Sequence, residues 1–117
     1  SAVPANVNYD LVSQGVLYYT SNSTANTTVN FRGSSSLSLN AAMQTGQSMT
    51  VAFAITNGAT AYLPTVFQVD ANTVTPKWQG GSAPTAGNAS SVDVYAFTII
   101  KTGSVTYTVL ASQTQFK

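Results

Sequence analysis

"VDVYAFTIIKTGSVTYTVLAS", residues 92–112, sets the fold class. Its first half alternates: Tyr95, Phe97 and Ile99 share one face, and Val94, Ala96, Thr98 and Ile100 share the other. A period of two is the signature of a strand. Both faces are largely apolar, which predicts a central strand. The second half repeats the β-rich chemistry, so the two runs form a hairpin. Thr102-Gly103 is the expected turn, because glycine takes φ > 0 without Cβ strain.

The same pattern extends outward along the chain. In "TGQSMTVAFAIT", Met49, Val51, Phe53 and Ile55 face one way and Thr50, Ala52, Ala54 and Thr56 the other. Asn57-Gly58 predicts a second turn. Pro64 has no amide proton, so its strand belongs at an edge or beside a bulge. Strands are expected at residues 7–12, 15–20, 27–32, 36–39, 48–56, 60–69, 73–77, 92–101 and 104–112. The only helical signal is a short turn around "SLNAAMQTG". Eight to nine short antiparallel strands, with turn residues every eight to twelve positions, imply an all-β domain, a β-sandwich or jelly roll. Residues 1–12 read as an N-terminal arm or edge strand and residues 13–117 as a single domain.

Composition narrows the function. The seven charged side chains are Asp10, Arg32, Asp70, Lys77, Asp93, Lys101 and Lys117, and the net charge is +1. A charged fraction of 6% is far below the usual quarter. Little mutual repulsion follows, which favours a subunit covered by neighbours over a free monomer. No basic patch is present to bind nucleic acid. No apolar run is long enough to span a membrane, and residues 1–10 lack the pattern of a signal peptide. Ser1 stands where an initiator methionine would; initiator removal, proteolytic maturation and a fragment start each account for it.

Catalytic chemistry has little to work with. Cysteine, histidine and glutamate are absent. A serine nucleophile lacks its usual base, and the three aspartates fall in different segments rather than as a facing pair. Calcium on Asp70, Asp93 and carbonyls is the one metal arrangement weighed, against the plainer reading that both aspartates stabilise turns. The protein is therefore expected not to be an enzyme, with no cofactor and no metal. Three Asn-x-Ser/Thr sequons, at Asn22, Asn26 and Asn88, are what chance supplies in a chain this rich in Asn and Thr.

The candidate site is the loop "VTPKWQGGSAPTAGN", which holds the only tryptophan. Trp78 is either a platform for a ligand or a plug in the core. The plug reading is preferred: Trp78 ends a strand, the glycines after it allow the backbone to turn closely over the indole, and Pro84 stiffens the loop. The loop and recognition residues singled out are Trp78, Gln79, Gly80, Gly81, Pro84, Asn88, Asp93 and Tyr95.

The segment from Trp78-Gln79-Gly80-Gly81 through Ala83-Pro84 and Asn88 to "DVYAFTIIKTG" at residues 93–103 resembles the C-terminal β-rich module of tail-fibre and other virion structural proteins of marine tailed bacteriophages. The upstream run from "LYYTSNSTANTTVNFRG" to "TVFQVD" is also similar, so the resemblance covers residues 12–116. It implies a structural module at the virion surface and carries no catalytic residues. Members often bear the module at the end of a long fibre chain. No stem precedes it here, which brings in a capsid decoration subunit beside a tail fibre or appendage. The partners implied are other virion proteins and copies of the chain itself, a trimer being the favoured symmetry. A receptor- or glycan-binding adhesin that recognises a host-surface glycan, and a subunit of a non-viral extracellular filament, are the alternatives.

Overall fold

The computed structural model describes residues 3–13 and 15–117. Ser1 and Ala2, the first residues of the expected N-terminal arm, lie outside the described residues, as does Gln14. Nine strands, one short α-helix and one 3-10 turn (Gln79–Gly81) are present among those described: β1 (Asn6–Asp10), β2 (Val16–Asn22), β3 (Thr27–Arg32), α1 (Leu39–Ala42), β4 (Ser48–Asn57), β5 (Pro64–Val69), β6 (Asn72–Val74), β7 (Lys77–Trp78), β8 (Ser91–Gly103) and β9 (Thr106–Phe116). They form two sheets, ordered β1-β3-β5-β6 and β2-β4-β8-β9-β7.

The strands are not all antiparallel, as the sequence suggests. Pairs β4–β8, β8–β9 and β5–β6 are antiparallel, but β1–β3, β3–β5, β2–β4 and β7–β9 are parallel. The reason lies in the path of the chain. From β1 to β5 it alternates between the two sheets. Parallel neighbours need a long crossover, usually a helix; up to β5 a strand of the opposite sheet performs that role, whereas β7 and β9 are joined through β8 of their own sheet. Asn57-Gly58 accordingly starts a crossing between sheets rather than a hairpin. The Asn57 side chain shapes it, with Nδ2 donating to the Tyr62 carbonyl (3.0 Å) and Oδ1 accepting from the Tyr62 amide (3.1 Å). A Cβ on Gly58 would lie 2.8 Å from Asn22 Nδ2, the end of a side chain that can move aside.

Three local expectations also change. Residues 36–39 do not form a strand; Leu39 begins α1 instead. Residues 60–63 precede β5 rather than extend it. The β8–β9 turn lies two residues later than expected, at Ser104-Val105: Gly103 pairs with Thr106, and Val105 takes the positive φ, 54°. Pro64 stands at the start of β5, where the register slips so that Thr27 faces Pro64 and Thr28 faces Val66.

The inward faces of both sheets build one core. Val7, Tyr9, Val29, Phe31, Phe67 and Val69 come from the first sheet. Val51, Phe53, Ile55, Tyr95, Phe97, Ile99 and Val109 come from the second. Rings cross between the sheets: Phe31 lies 5.1 Å and Phe67 5.5 Å from Phe97, and Tyr9 lies 6.3 Å from Phe53. β8 occupies the middle of its sheet, and its residues alternate between buried and half-buried. β1 forms the edge of the first sheet, paired with β3 of its own chain.

α1 has four residues, too few to hold itself. Side chains fasten both ends. The Asp70 carboxylate accepts from the amides of Leu39 (2.7 Å) and Asn40 (3.0 Å). Buried Lys101 donates from Nζ to the carbonyls of Asn40 (2.7 Å) and Met43 (2.9 Å). Leu39 is thereby held in the core with no exposure.

Candidate functional site

Trp78 closes β7, which pairs in parallel with β9 so that Trp78 lies beside buried Ala111. That register turns the indole inward. It meets Phe67 at 5.7 Å and Phe97 at 6.4 Å, both edge-on. The ring is half-buried, and its remaining edge lines a cleft of about 410 Å³. Leu63, Pro64, Phe67, Pro76, Pro84 and Thr85 are among its lining residues. A second recess of about 210 Å³ lies across the loop, between Gln79, Ser82, Pro84 and Gln113.

Gly80 and Gly81 are not there for close approach to the indole, as the sequence suggests. A Cβ on either would meet nothing within 4 Å. Their role is conformational, because φ is 81° at Gly80 and 86° at Gly81. The glycine needed for contact is Gly87, where a Cβ would lie 2.3 Å from the Tyr62 carbonyl oxygen.

Asn88, Asp93 and Tyr95 sit at the far end of the loop and form a polar pin rather than a cleft wall. Asp93 is fully buried. Its Oδ2 accepts from the Asn88 amide (2.9 Å) and from Asn57 Nδ2 (3.3 Å). Its Oδ1 accepts from Asn88 Nδ2 (2.9 Å) and Ser91 Oγ (3.2 Å). Four donors share one carboxylate, which satisfies a charge that burial would otherwise penalise heavily. Gln113 Nε2 donates to the Ala86 carbonyl (3.2 Å) and to the Tyr95 hydroxyl (2.9 Å). Burial pushes the Tyr95 hydroxyl up to about 12, against the lowering effect of Gln113 and with a smaller push from Asp93. Tyr95 therefore stays protonated at any physiological pH.

The eight residues singled out from sequence thus divide. Trp78, Gln79 and Pro84 line the recesses, Gly80 and Gly81 shape the loop, and Asn88, Asp93 and Tyr95 anchor it. Asn57, Ser91 and Gln113 complete the anchor and were missed. Nothing separated them from the many other Asn, Gln and Ser residues until the fold joined positions far apart in the chain. Chemically, this arrangement holds a loop rigidly over an apolar cleft; it positions no nucleophile beside a base. Among the described residues, no three acidic, histidine or cysteine side chains gather as metal ligands. No helix among the described residues is long and apolar enough to cross a membrane. No family model, curated protein or solved structure matches the chain.

Proposed function

We propose that this chain is a structural module on the surface of a bacteriophage virion, as part of a tail fibre or appendage or as a capsid decoration subunit, and not an enzyme. One observation carries the reading: five of the seven charged side chains serve the fold rather than a reaction. Asp10 pairs with Arg32, Asp70 and Lys101 hold α1, and Asp93 pins the tryptophan loop. A surface left with so little charge suits close packing against other subunits. The two sheets around one core are read as the layers of a β-sandwich; their parallel pairs depart from the antiparallel jelly roll. Other virion proteins and copies of the chain are the partners; a cyclic trimer suits a fibre tip, whereas the outward face of the β2-β4-β8-β9-β7 sheet favours a two-fold pair. Nucleic acid is not a partner. The test is mass spectrometry of purified particles from the source virus. Stoichiometric recovery of the chain supports the reading, and its absence from intact particles overturns it.

The cleft beside Trp78 favours a second reading, a receptor- or glycan-binding module on the same virion or on a non-viral extracellular filament. An apolar wall with an aromatic edge and a rim of Asn26 and Thr85 suits the face of a sugar ring. A glycan array probed with the wild-type protein and with Thr85→Arg, which fills the cleft, separates the two. Binding lost in the variant supports recognition; an array with no hits removes it.

A further inference from the structure

The outward faces of the two sheets differ in kind. On the first sheet, one row across all four strands reads Asn8, Asn30, Gln68, Thr73. Asn30 Nδ2 donates to Asn8 Oδ1 at 3.2 Å, and the Asp10–Arg32 pair lies on the same face. On the second sheet, the matching rows read Val16, Ala52, Ala96, Ser112 and Tyr18, Ala54, Val94, Thr114. Val16 is 69% exposed, Tyr18 52%, Leu110 43% and Phe116 57%, all on this one face. Among the described residues its only charge is Lys77, at the β7 edge beside Leu110. The next row, Thr50, Thr98 and Leu110, carries a Thr50–Thr98 hydroxyl pair (3.1 Å), so the face is an apolar patch centred on these two rows rather than apolar throughout. A patch of this kind marks a surface that is covered in use.

We infer that the outward face of the β2-β4-β8-β9-β7 sheet packs against the same face of a second copy, about a two-fold axis running along the strands between β4 and β8. This deepens the structural reading by naming its contact surface, and rests on that reading for the expectation that the chain works in more than one copy. Three features select a second copy. The first is relief. The axis sets β2 of each copy over β9 of the other, so Val16 meets the partner's Ser112 and Tyr18 meets the partner's Thr114. In these two rows the large side chains of β2 face small ones of β9, while the Ala52 and Ala96 row lets the sheets approach at the centre. The second is charge: a face with almost none meets its own copy without repulsion and offers nothing to a charged partner. The third is area. Facing strands overlap over the shorter of each pair, β2 (7 residues) on the partner's β9 and β4 (10 residues) on the partner's β8, each twice. At about 3.3 Å per residue and about 4.8 Å apart, this covers roughly 540 Å² in projection. With side-chain relief, that approaches the roughly 800 Å² per partner of a stable interface. Such a contact is isologous, so it builds a two-fold pair rather than a cyclic trimer.

Sedimentation equilibrium of the purified chain tests this, with circular dichroism to establish that each variant is folded. The wild type is expected to show the mass of two 12.1 kDa chains at about 100 µM. Val16→Glu and Ser112→Lys should each raise the dissociation constant about 30-fold, the scale of an interface hot spot. Combined in one chain they should recover at least about tenfold, because each glutamate then faces the partner's lysine. Thr73→Lys, on the polar face, should change nothing. A monomeric wild type, a trimer, or single variants with unchanged mass would overturn the inference; so would a double variant with no recovery. A dimer from a chain absent from virions would leave this inference standing and remove the virion reading. A monomer from a chain found in virions would do the reverse.

Discussion

Replacing Asp93 tests how the tryptophan loop is held. Asp93→Ala removes the acceptor for four donors, but their losses differ. Ser91 Oγ keeps the Asn88 carbonyl (2.7 Å), and Asn57 Nδ2 keeps the Tyr62 carbonyl (3.0 Å). The Asn88 amide and Asn88 Nδ2 lose the only acceptor the structure gives them. An orphaned buried donor costs about 1–3 kcal/mol, partly offset here because a buried charge also disappears, so a loss of about 2–4 kcal/mol is expected. For a domain of this length that lowers Tm by about 8–16 °C. Asp93→Asn should cost less, about 1 kcal/mol, because its remaining oxygen still serves the Asn88 amide and the Asn88 side-chain amide can rotate to accept from the new nitrogen. Urea denaturation gives both values, and hydrogen exchange at the Asn88 amide reports the loop directly. Equal losses in the two variants, or a loss under about 1 kcal/mol in Asp93→Ala, would refute the pin.

Other outcomes follow from single residues. Ala71 sits in the β5–β6 turn at φ 66°, where a Cβ is strained, so Ala71→Gly should stabilise the domain by about 0.5–1 kcal/mol in urea denaturation. The Tyr107 hydroxyl is buried with no hydrogen-bond partner among the described residues, so Tyr107→Phe should leave Tm unchanged or raise it. Burial pushes the hydroxyls of Tyr9 and Tyr95 up to about 12 from an ordinary 10.0. A raised pKa favours the neutral, folded form, so their contribution is complete below pH 10 and is lost as pH rises through about 12. A pH series of thermal melts should therefore fall on the alkaline side of pH 10; a melt unchanged up to pH 12 would contradict that.

Much of the core was legible because alternation is a local signal. Phe53, Tyr95, Phe97 and Ile99 face inward as their spacing predicts, and the two apolar faces of β8 match its central place. Strand direction was not legible. It depends on which sheet each strand joins, and the inward residues of β2 and β3 read alike whether their neighbours are parallel or antiparallel. α1 was written only faintly, because Asp70 and Lys101, distant in sequence, hold it in place. The turn at Val105 was missed because a β-branched residue at positive φ runs against local preference. In the site, Trp78 and Asp93 stood out by rarity, whereas Asn57 and Gln113 acquire meaning through partners far along the chain.

The most direct measurement of the central claim, that this chain is a virion structural module, is an electron cryo-microscopy map of the source particle at side-chain resolution. The account predicts symmetric copies on the particle surface, with Val16, Tyr18, Leu110 and Phe116 covered by protein and the Asn8–Asn30–Gln68–Thr73 row open to solvent. A particle without density for the chain would contradict it.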